Sequence, residues 1–208
     1  MKEFMRSRQI DALFHFKRAN NLQNIFRYGL LPKENLLNNG INVEFNDNYR
    51  YDGCENALCA SLGFPNYKMF YRLQRDNPDV DWVVIKLDAN ILLDYDYDCA
   101  FCVTNAGSAE SYSVNLKDRK GIEALKKLYE DYPGKPSRQE MNLKDCYPTN
   151  PQAEVLIFGR VPVEYIKEVY FLNNKALHKY KDCIPDKIIA SDNLYWFYPR
   201  EDWRYWQT

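Results

Sequence analysis

Glu154 is an isolated carboxylate that opens an apolar run, in the segment Tyr147-Pro-Thr-Asn-Pro-Gln-Ala-Glu154-Val-Leu-Ile-Phe-Gly159. The run from Val155 to Phe158 reads as a buried strand bounded by Pro151 and Gly159. A charge at the lip of such a strand is costly unless it is solvated, paired or put to use. Glu154 therefore either faces water at a strand edge or serves as an acid, a base or a stabiliser of positive charge. Arg50 lies in Asn48-Tyr49-Arg50-Tyr51-Asp52-Gly53. Its planar fork of donors suits a phosphate clamp, with a surface ion pair as the ordinary alternative. The run from Ser61 to Tyr71 sets Phe64, Tyr67, Phe70 and Tyr71 beside Lys68, and Arg72 follows. Rings at helical spacing suit a core, and the two cations read equally as solvated charges. Interleaved aromatic and basic groups also suit a nucleotide or a single strand.

Some chemistries find no support. The two histidines are His15, in Leu13-Phe14-His15-Phe16, and His178. A histidine flanked by aromatics reads first as a hydrogen-bonded core or rim group. With no Ser-His or Cys-His constellation, covalent hydrolase chemistry is unsupported. No Gly-rich phosphate loop is present, so neither a Rossmann nor a P-loop nucleotide site is expected. Cys99-x-x-Cys102 alone is a weak zinc signal, and Cys54 with Cys59 does not have the spacing to complete a ribbon with it, so the six cysteines read as reduced thiols and no metal site is expected.

The elements that must position these groups alternate irregularly. Asp11 to Phe16 reads as a strand, and Ala19 to Tyr28 as an amphipathic helix with Leu22, Ile25 and Phe26 inward and Gly29 as its cap. Leu36 to Arg50, rich in Asn and Asp, reads as an irregular loop. Ala57 to Leu62 is a strand, a helix starts within Phe64 to Tyr71, and Trp82 to Leu87 is a buried strand. A helix spans Lys120 to Tyr129, and Tyr132 to Asn150 is polar and irregular. Strands near Val169 to Leu172 and Lys187 to Ala190 flank a helix near Lys175 to Lys181. Without regular βαβ alternation the class is α+β.

The 208 residues suffice for one well-cored domain over 1–208, with no linker dividing them. Hydrophobic residues at 46% and charged residues at 27% describe an ordinary globular protein rather than a disordered one. No apolar run approaches the roughly 20 residues that cross a bilayer, and no signal peptide is apparent, so no membrane association and a cytoplasmic location are expected. A net charge of −1 excludes nucleic-acid binding driven by the overall field and leaves it to local patches. The 17 tyrosines, 11 phenylalanines and 4 tryptophans fit a core and a stacking surface equally.

Several segments together resemble the DarT family of DNA ADP-ribosyltransferase toxins. They are His15-Phe-Lys-Arg-Ala-Asn-Asn21-Leu22 with Gly29-Leu30-Leu31, Arg50-Tyr-Asp-Gly53, Ser61-Leu-Gly-Phe-Pro-Asn-Tyr-Lys-Met-Phe-Tyr71, Asp98-Cys-Ala-Phe-Cys-Val-Thr-Asn105 and Asn150-Pro-Gln-Ala-Glu154-Val. They run in family order from residue 13 to about 165, and the Phe-Pro-Asn-Tyr-Lys-Met-Phe-Tyr and Asn-Pro-Gln-Ala-Glu-Val blocks are the specific ones. The resemblance implies an ADP-ribosyltransferase fold, a split and mainly antiparallel pair of sheets whose cleft binds NAD, with helices around it. It implies transfer of ADP-ribose from NAD to a base of single-stranded DNA with release of nicotinamide. It also implies a toxin–antitoxin system, with a macrodomain antitoxin of DarG type as partner.

By that resemblance Glu154 and Arg50 are the catalytic pair. His15, Phe16, Asn21, Gly29 and Leu30 hold the NAD, with Tyr49, Tyr67 or Tyr71 stacking on nicotinamide. Tyr132 to Asn150 is the substrate-recognition loop, with Lys135, Arg138 and Lys144, and with Lys68 and Arg72 nearby, for DNA phosphates. The physical reading agrees, because breaking the nicotinamide glycosidic bond builds positive charge on the ribose that a fixed carboxylate stabilises. A rim carboxylate contributes little to packing, so Glu154→Ala is expected to leave the fold intact. An ADP-ribosyltransferase acting on RNA or protein, or a non-catalytic module binding single strands, are the alternatives.

Overall fold

The computed structural model describes residues 1–41, 43–44 and 53–207. Seven strands form its centre: β1 (Ala12–Arg18), β2 (Ala57–Leu62), β3 (Trp82–Asp88), β4 (Cys99–Cys102), β5 (Glu154–Phe158), β6 (Ile166–Phe171) and β7 (Ile189–Asp192). Their order across the sheet is β4-β5-β2-β1-β3-β6-β7. Each neighbouring pair is antiparallel except β6 and β7. The α+β class read from the sequence and the mainly antiparallel strands implied by the resemblance are both found, in one seven-stranded sheet whose last pair is parallel.

The middle of the sheet is its weakest seam. β1 and β3 pair along the whole of β1, from Ala12↔Asp88 to Arg18↔Trp82. β1 and β2 pair only at Leu13↔Leu62 and Phe14↔Ser61. Past Phe14 the two half-sheets part, β1 staying with β3 while Ala57 to Ala60 of β2 pair with β5. Near this opening His15 Nδ1 bonds the Cys59 carbonyl at 2.7 Å, so an imidazole bridges strands whose backbones no longer pair.

Among the described residues seven short α-helices flank the strands: α1 (Lys2–Ser7), α2 (Leu22–Tyr28), α3 (Lys33–Asn38), α4 (Tyr67–Asp76), α5 (Ala109–Tyr112), α6 (Gly121–Lys127) and α7 (Asn174–Tyr180). On one face Leu22 and Ile25 of α2 and Leu125 of α6 join Leu13, Val83, Ile85, Val155 and Ile157 in the main core. On the other, Phe70 and Leu73 of α4 cover Phe14, Trp82 and Val84. Phe70 stacks on Phe16 at 4.5 Å, and the aromatic carboxy-terminal stretch joins this layer through Trp196 on Phe14 at 4.4 Å and Phe197 on Phe70 at 5.5 Å.

Several boundaries depart from the sequence reading. The segment from Leu36 is not wholly irregular, since α3 reaches Asn38 and buries Leu36. The helix expected from Ala19 begins as a 3-10 turn over Ala19–Asn21 and becomes α-helical only at Leu22. Strand β4 carries four residues between a turn and a bend, too few to show a period, and its partner β5 defines it.

Candidate active site

Glu154 is the first residue of β5, one position beyond the pair Ala60↔Val155 and opposite Cys102 of β4. Its side chain is not at a wet edge: the residue is only 5% exposed. Oε2 accepts the Ala106 N–H at 2.8 Å. Oε1 accepts the side-chain amides of Asn105 at 3.2 Å and Asn66 at 3.3 Å. The expectation that Glu154→Ala leaves the fold untouched is corrected by this cradle, because truncation strands donors that burial keeps from water.

The sequence builds the cradle locally. After Cys102 the chain turns, and Asn105 Oδ1 accepts the Gly107 N–H at 3.0 Å, which leaves its amide nitrogen aimed at the carboxylate. Asn66 is the N-cap of α4, where Oδ1 accepts the Met69 N–H at 3.2 Å, and its own N–H reaches Ser61 Oγ at 3.2 Å. One asparagine thus starts a helix, ties it to β2 and orients the carboxylate. Asn66 and Asn105 stood in the sequence without a role. The signal for Asn66 was an N-cap residue before a helical run; for Asn105 it was the turn following β4.

Replacing Asn66 separates these duties. Asn66→Ala is expected to cost about 1 kcal/mol of stability through the lost cap. Asn66→Asp keeps the cap acceptor but sets a second carboxylate against Glu154, so repulsion favours protonation of one of the two. Its rate deficit is expected to be roughly tenfold or more near neutral pH and to shrink as pH falls. A melt of each variant and a pH–rate profile of Asn66→Asp check this, and a deficit that does not change with pH would rule out the like-charge account.

A second group of expected residues gathers at the end of α2. Asn21, Gly29 and Leu30 line one cleft together with Lys17, Tyr28 and Val43. Asn21 engages backbone there: Nδ2 donates to the Glu44 carbonyl at 2.9 Å and Oδ1 accepts the Glu44 N–H at 3.2 Å. Arg18 and Asn20 hold the Glu44 carboxylate at 3.2 and 2.9 Å. Leu30 exchanges two backbone bonds with Val161, at 2.8 and 2.9 Å, which ties this cleft to the chain leaving β5.

Gly29 makes that tie possible. Its φ is +83° and ψ −179°, a conformation essentially confined to glycine, and a Cβ there would lie 2.5 Å from the Val161 carbonyl oxygen. Gly29→Ala is expected to destabilise the protein by about 1–3 kcal/mol from backbone strain alone. A thermal melt of the variant would measure that loss. An alanine variant with an unchanged melting temperature would show that the strand tie can yield.

Other expected residues are placed differently. Tyr67 is buried beside Phe64 and Tyr147, and burial, then the Asp202 charge, pushes its hydroxyl well above the ordinary range. Tyr71 is 59% exposed on the outer side of α4, and Arg72 is exposed next to it. Lys68 Nζ donates to the Trp206 carbonyl at 2.8 Å and Lys135 Nζ to the Tyr205 carbonyl at 2.8 Å. Burial, then the Lys135 charge, lowers the Lys68 pKa. Arg138 donates to the carbonyls of Tyr147 at 2.8 Å and Lys144 at 3.2 Å. Lys144 donates to the Tyr195 hydroxyl at 3.1 Å. Tyr49 and Arg50 lie outside the described residues.

The arrangement offers a fixed carboxylate at the foot of a split sheet and a cleft beside α2. The same framework occurs in solved structures. The chain is similar to Thermosipho africanus DarTG in complex with ADP-ribose, with a TM-score of 0.60 and 18% identity, over 90% of this chain and 51% of that one. It is similar to Thermus sp. 2.9 DarT in complex with carba-NAD+, at 0.60 and 14% identity, over 91% of this chain and 99% of that one. The same Thermus protein in complex with ADP-ribosylated ssDNA superposes at 0.55 and 13% identity, over 91% and 97%. The chain thus spans about half the length of the Thermosipho DarTG and nearly all of the Thermus DarT. At these identities the likeness establishes the fold. No curated protein matches the chain. The sequence model of the family described as "DarT: ssDNA thymidine ADP-ribosyltransferase, DarT" matches residues 14–203, nearly the whole of the folded chain, and the chain belongs to that family.

Proposed function

We propose that this chain transfers ADP-ribose from NAD to thymidine in single-stranded DNA and releases nicotinamide, with Glu154 as its catalytic carboxylate. The observation that carries the residue assignment is the cradle in which three donors, from Asn66, Asn105 and Ala106, fix a carboxylate buried at the lip of the sheet. Fixed orientation is what charge stabilisation in a transition state requires, since nothing must reorganise as the charge develops.

In this reaction the bond between the ribose anomeric carbon and the nicotinamide nitrogen breaks, and its electron pair leaves with neutral nicotinamide. A new bond forms from the same carbon to the base. Thymine has one N–H available, at N3, and its proton goes to Glu154 as the base attacks. Before that transfer the carboxylate faces the positive ribose or accepts from a ribose hydroxyl. Arg50 acts with Glu154 on the pyrophosphate or on the charge developing on the base. His15, Phe16, Asn21, Gly29 and Leu30 hold the NAD beside α2, and Tyr49, Tyr67 or Tyr71 meets the nicotinamide. Residues 132–150 receive the strand, and Lys68, Arg72, Lys135, Arg138 and Lys144 supply its positive surroundings. A macrodomain antitoxin of DarG type is the proposed partner, and the cytoplasm, where the cell's DNA is reached, the proposed location. Among the described residues no helix is long and apolar enough to cross a membrane.

The test is incubation with NAD and single-stranded oligonucleotides that contain or lack thymidine, followed by mass spectrometry. One added ADP-ribosyl unit on thymidine-containing strands supports the proposal. Nicotinamide release with no gain in oligonucleotide mass points to RNA, protein or water as acceptor.

A further inference from the structure

Residues 132–150 contain no regular helix or strand, yet the end of this segment is held by its own carbonyls. Arg138 donates to the carbonyls of Lys144 and Tyr147, and to Thr149 Oγ1 at 3.0 Å. From the far end of the chain, Arg200 donates to the carbonyl of Pro148 at 2.9 Å and that of Thr149 at 3.0 Å. Two guanidinium groups therefore take up the carbonyls of residues 144, 147, 148 and 149, and Thr149 precedes Glu154 by five positions.

Arg200 is itself locked. Asp202 accepts from its Nε at 2.6 Å and its Nη2 at 2.7 Å, and also accepts Trp206 Nε1 at 2.8 Å. Arg200 is 3% and Asp202 2% exposed. The turn carrying this pair is tied back to the segment it holds, through Lys135 to Tyr205, and to α4 through Lys68 to Trp206. A buried ion pair is a poor device for stability alone, since apolar side chains of similar volume commonly do as well or better. A rigid fork with five donors excels at fixing direction. Residues 147–149 are buried, so their carbonyls have no water to turn to and depend on these two guanidinium groups.

We infer that Arg200, locked by Asp202 and Trp206, is a positioning residue for the acceptor strand: it fixes the buried backbone of 147–149 and with it the exposed Lys144 and Asp145 of the segment against which that strand docks. The inference rests on the proposed DNA transfer and on 132–150 as the segment that receives the strand. It gives the aromatic carboxy-terminal stretch a role in substrate binding without direct contact with substrate.

The double variant Arg200→Gln, Asp202→Asn removes both buried charges at nearly constant volume, and Trp206→Phe removes only the indole donor. For each, the KM for a thymidine-containing oligonucleotide, the KM for NAD and amide exchange at 144–149 would be measured. The oligonucleotide KM is expected to rise about ten- to a hundredfold in the double variant while the NAD KM stays within about twofold, since misplacement at the docking backbone is felt by the acceptor alone. Exchange at 144–149 should quicken, and Trp206→Phe should move both readouts the same way by less. Faster exchange with an unchanged oligonucleotide KM overturns the inference, as does an equal loss for both substrates. Should the double variant not fold, Trp206→Phe carries the test, and a wild-type oligonucleotide KM there overturns it. A wild-type protein that modifies no oligonucleotide overturns the functional proposal instead. Exchange that stays unchanged at 144–149 in the variants overturns the positioning role whatever the acceptor is.

Discussion

Glu154→Ala should lower the rate of ADP-ribosyl transfer by about 10²- to 10⁴-fold, the range that a positioned acid or base supplies. The same substitution should also weaken the fold. The carboxylate accepts from Asn66, Asn105 and Ala106, and its removal leaves those donors facing an apolar methyl group. A buried donor left bare costs roughly 1–3 kcal/mol, and water or relaxation recovers part of it for the half-buried Asn105 amide. At about 2–4 °C per kcal/mol for a chain of this size, the melting temperature should fall by several degrees. Glu154→Gln is not a gentle control, because its NH₂ group would be turned against a donor already in place. Rates by oligonucleotide mass spectrometry and a melt of the same preparations separate the two effects. A Glu154→Ala protein that keeps its melting temperature would contradict the cradle, and one that keeps its rate would remove Glu154 from the chemistry.

The largest effect on stability is expected at Asp202. Asp202→Ala leaves the Arg200 guanidinium buried without its counter-charge and strips Trp206 Nε1 of its acceptor. Breaking one side of a buried pair costs about 3–5 kcal/mol. On the same scale this corresponds to a drop of roughly 6–20 °C. The double change of Arg200 and Asp202 to neutral residues should be milder than Asp202→Ala, since no charge is left stranded. By contrast, removing the exposed pair Arg75–Asp76, at 2.9 Å, should leave the melting temperature nearly unchanged. Thermal melts of the three proteins give the comparison. An Asp202→Ala protein as stable as one lacking the surface pair would mean that the Arg200 site relaxes to admit water.

The sequence exposed those parts of the fold that rest on a local period. Trp82 to Asp88 and Glu154 to Phe158 are strands because nearly every side chain is apolar and both faces are covered. Leu22 and Ile25 mark the buried side of α2, and Gly29 ends it. The carboxylate, too, stood out by contrast with the apolar residues that follow it. Its surroundings were hidden because they are long-range: Asn66 lies 88 positions from Glu154 and Asn105 lies 49. No local pattern states that two turns of chain, at Asn66 and at Asn105–Ala106, converge on one oxygen pair. Arg138 and Lys135 show what a local reading leaves out. Their charge suggested solvent and phosphate, and the structure adds that donors of both hold backbone carbonyls within the protein. Composition counts cations but cannot distinguish one that is free from one already engaged.

The strand order carries a consequence for the chain during its synthesis. β2 is made early, ending at Leu62, but its outer neighbour β5 is not complete until Phe158. At about 5–20 residues per second, the roughly 100 positions between them take on the order of 5–20 s to emerge. Throughout that interval the outer edge of β2 has no strand beside it, and an open edge is a template for unwanted pairing. Glu154 arrives with β5, and the arginine that braces the preceding segment comes later still, at position 200. A partly made chain therefore carries the α2 segment without either the carboxylate at position 154 or the Val161 tie to Leu30, and nearly all of the protein must leave the ribosome before these stand in one fold.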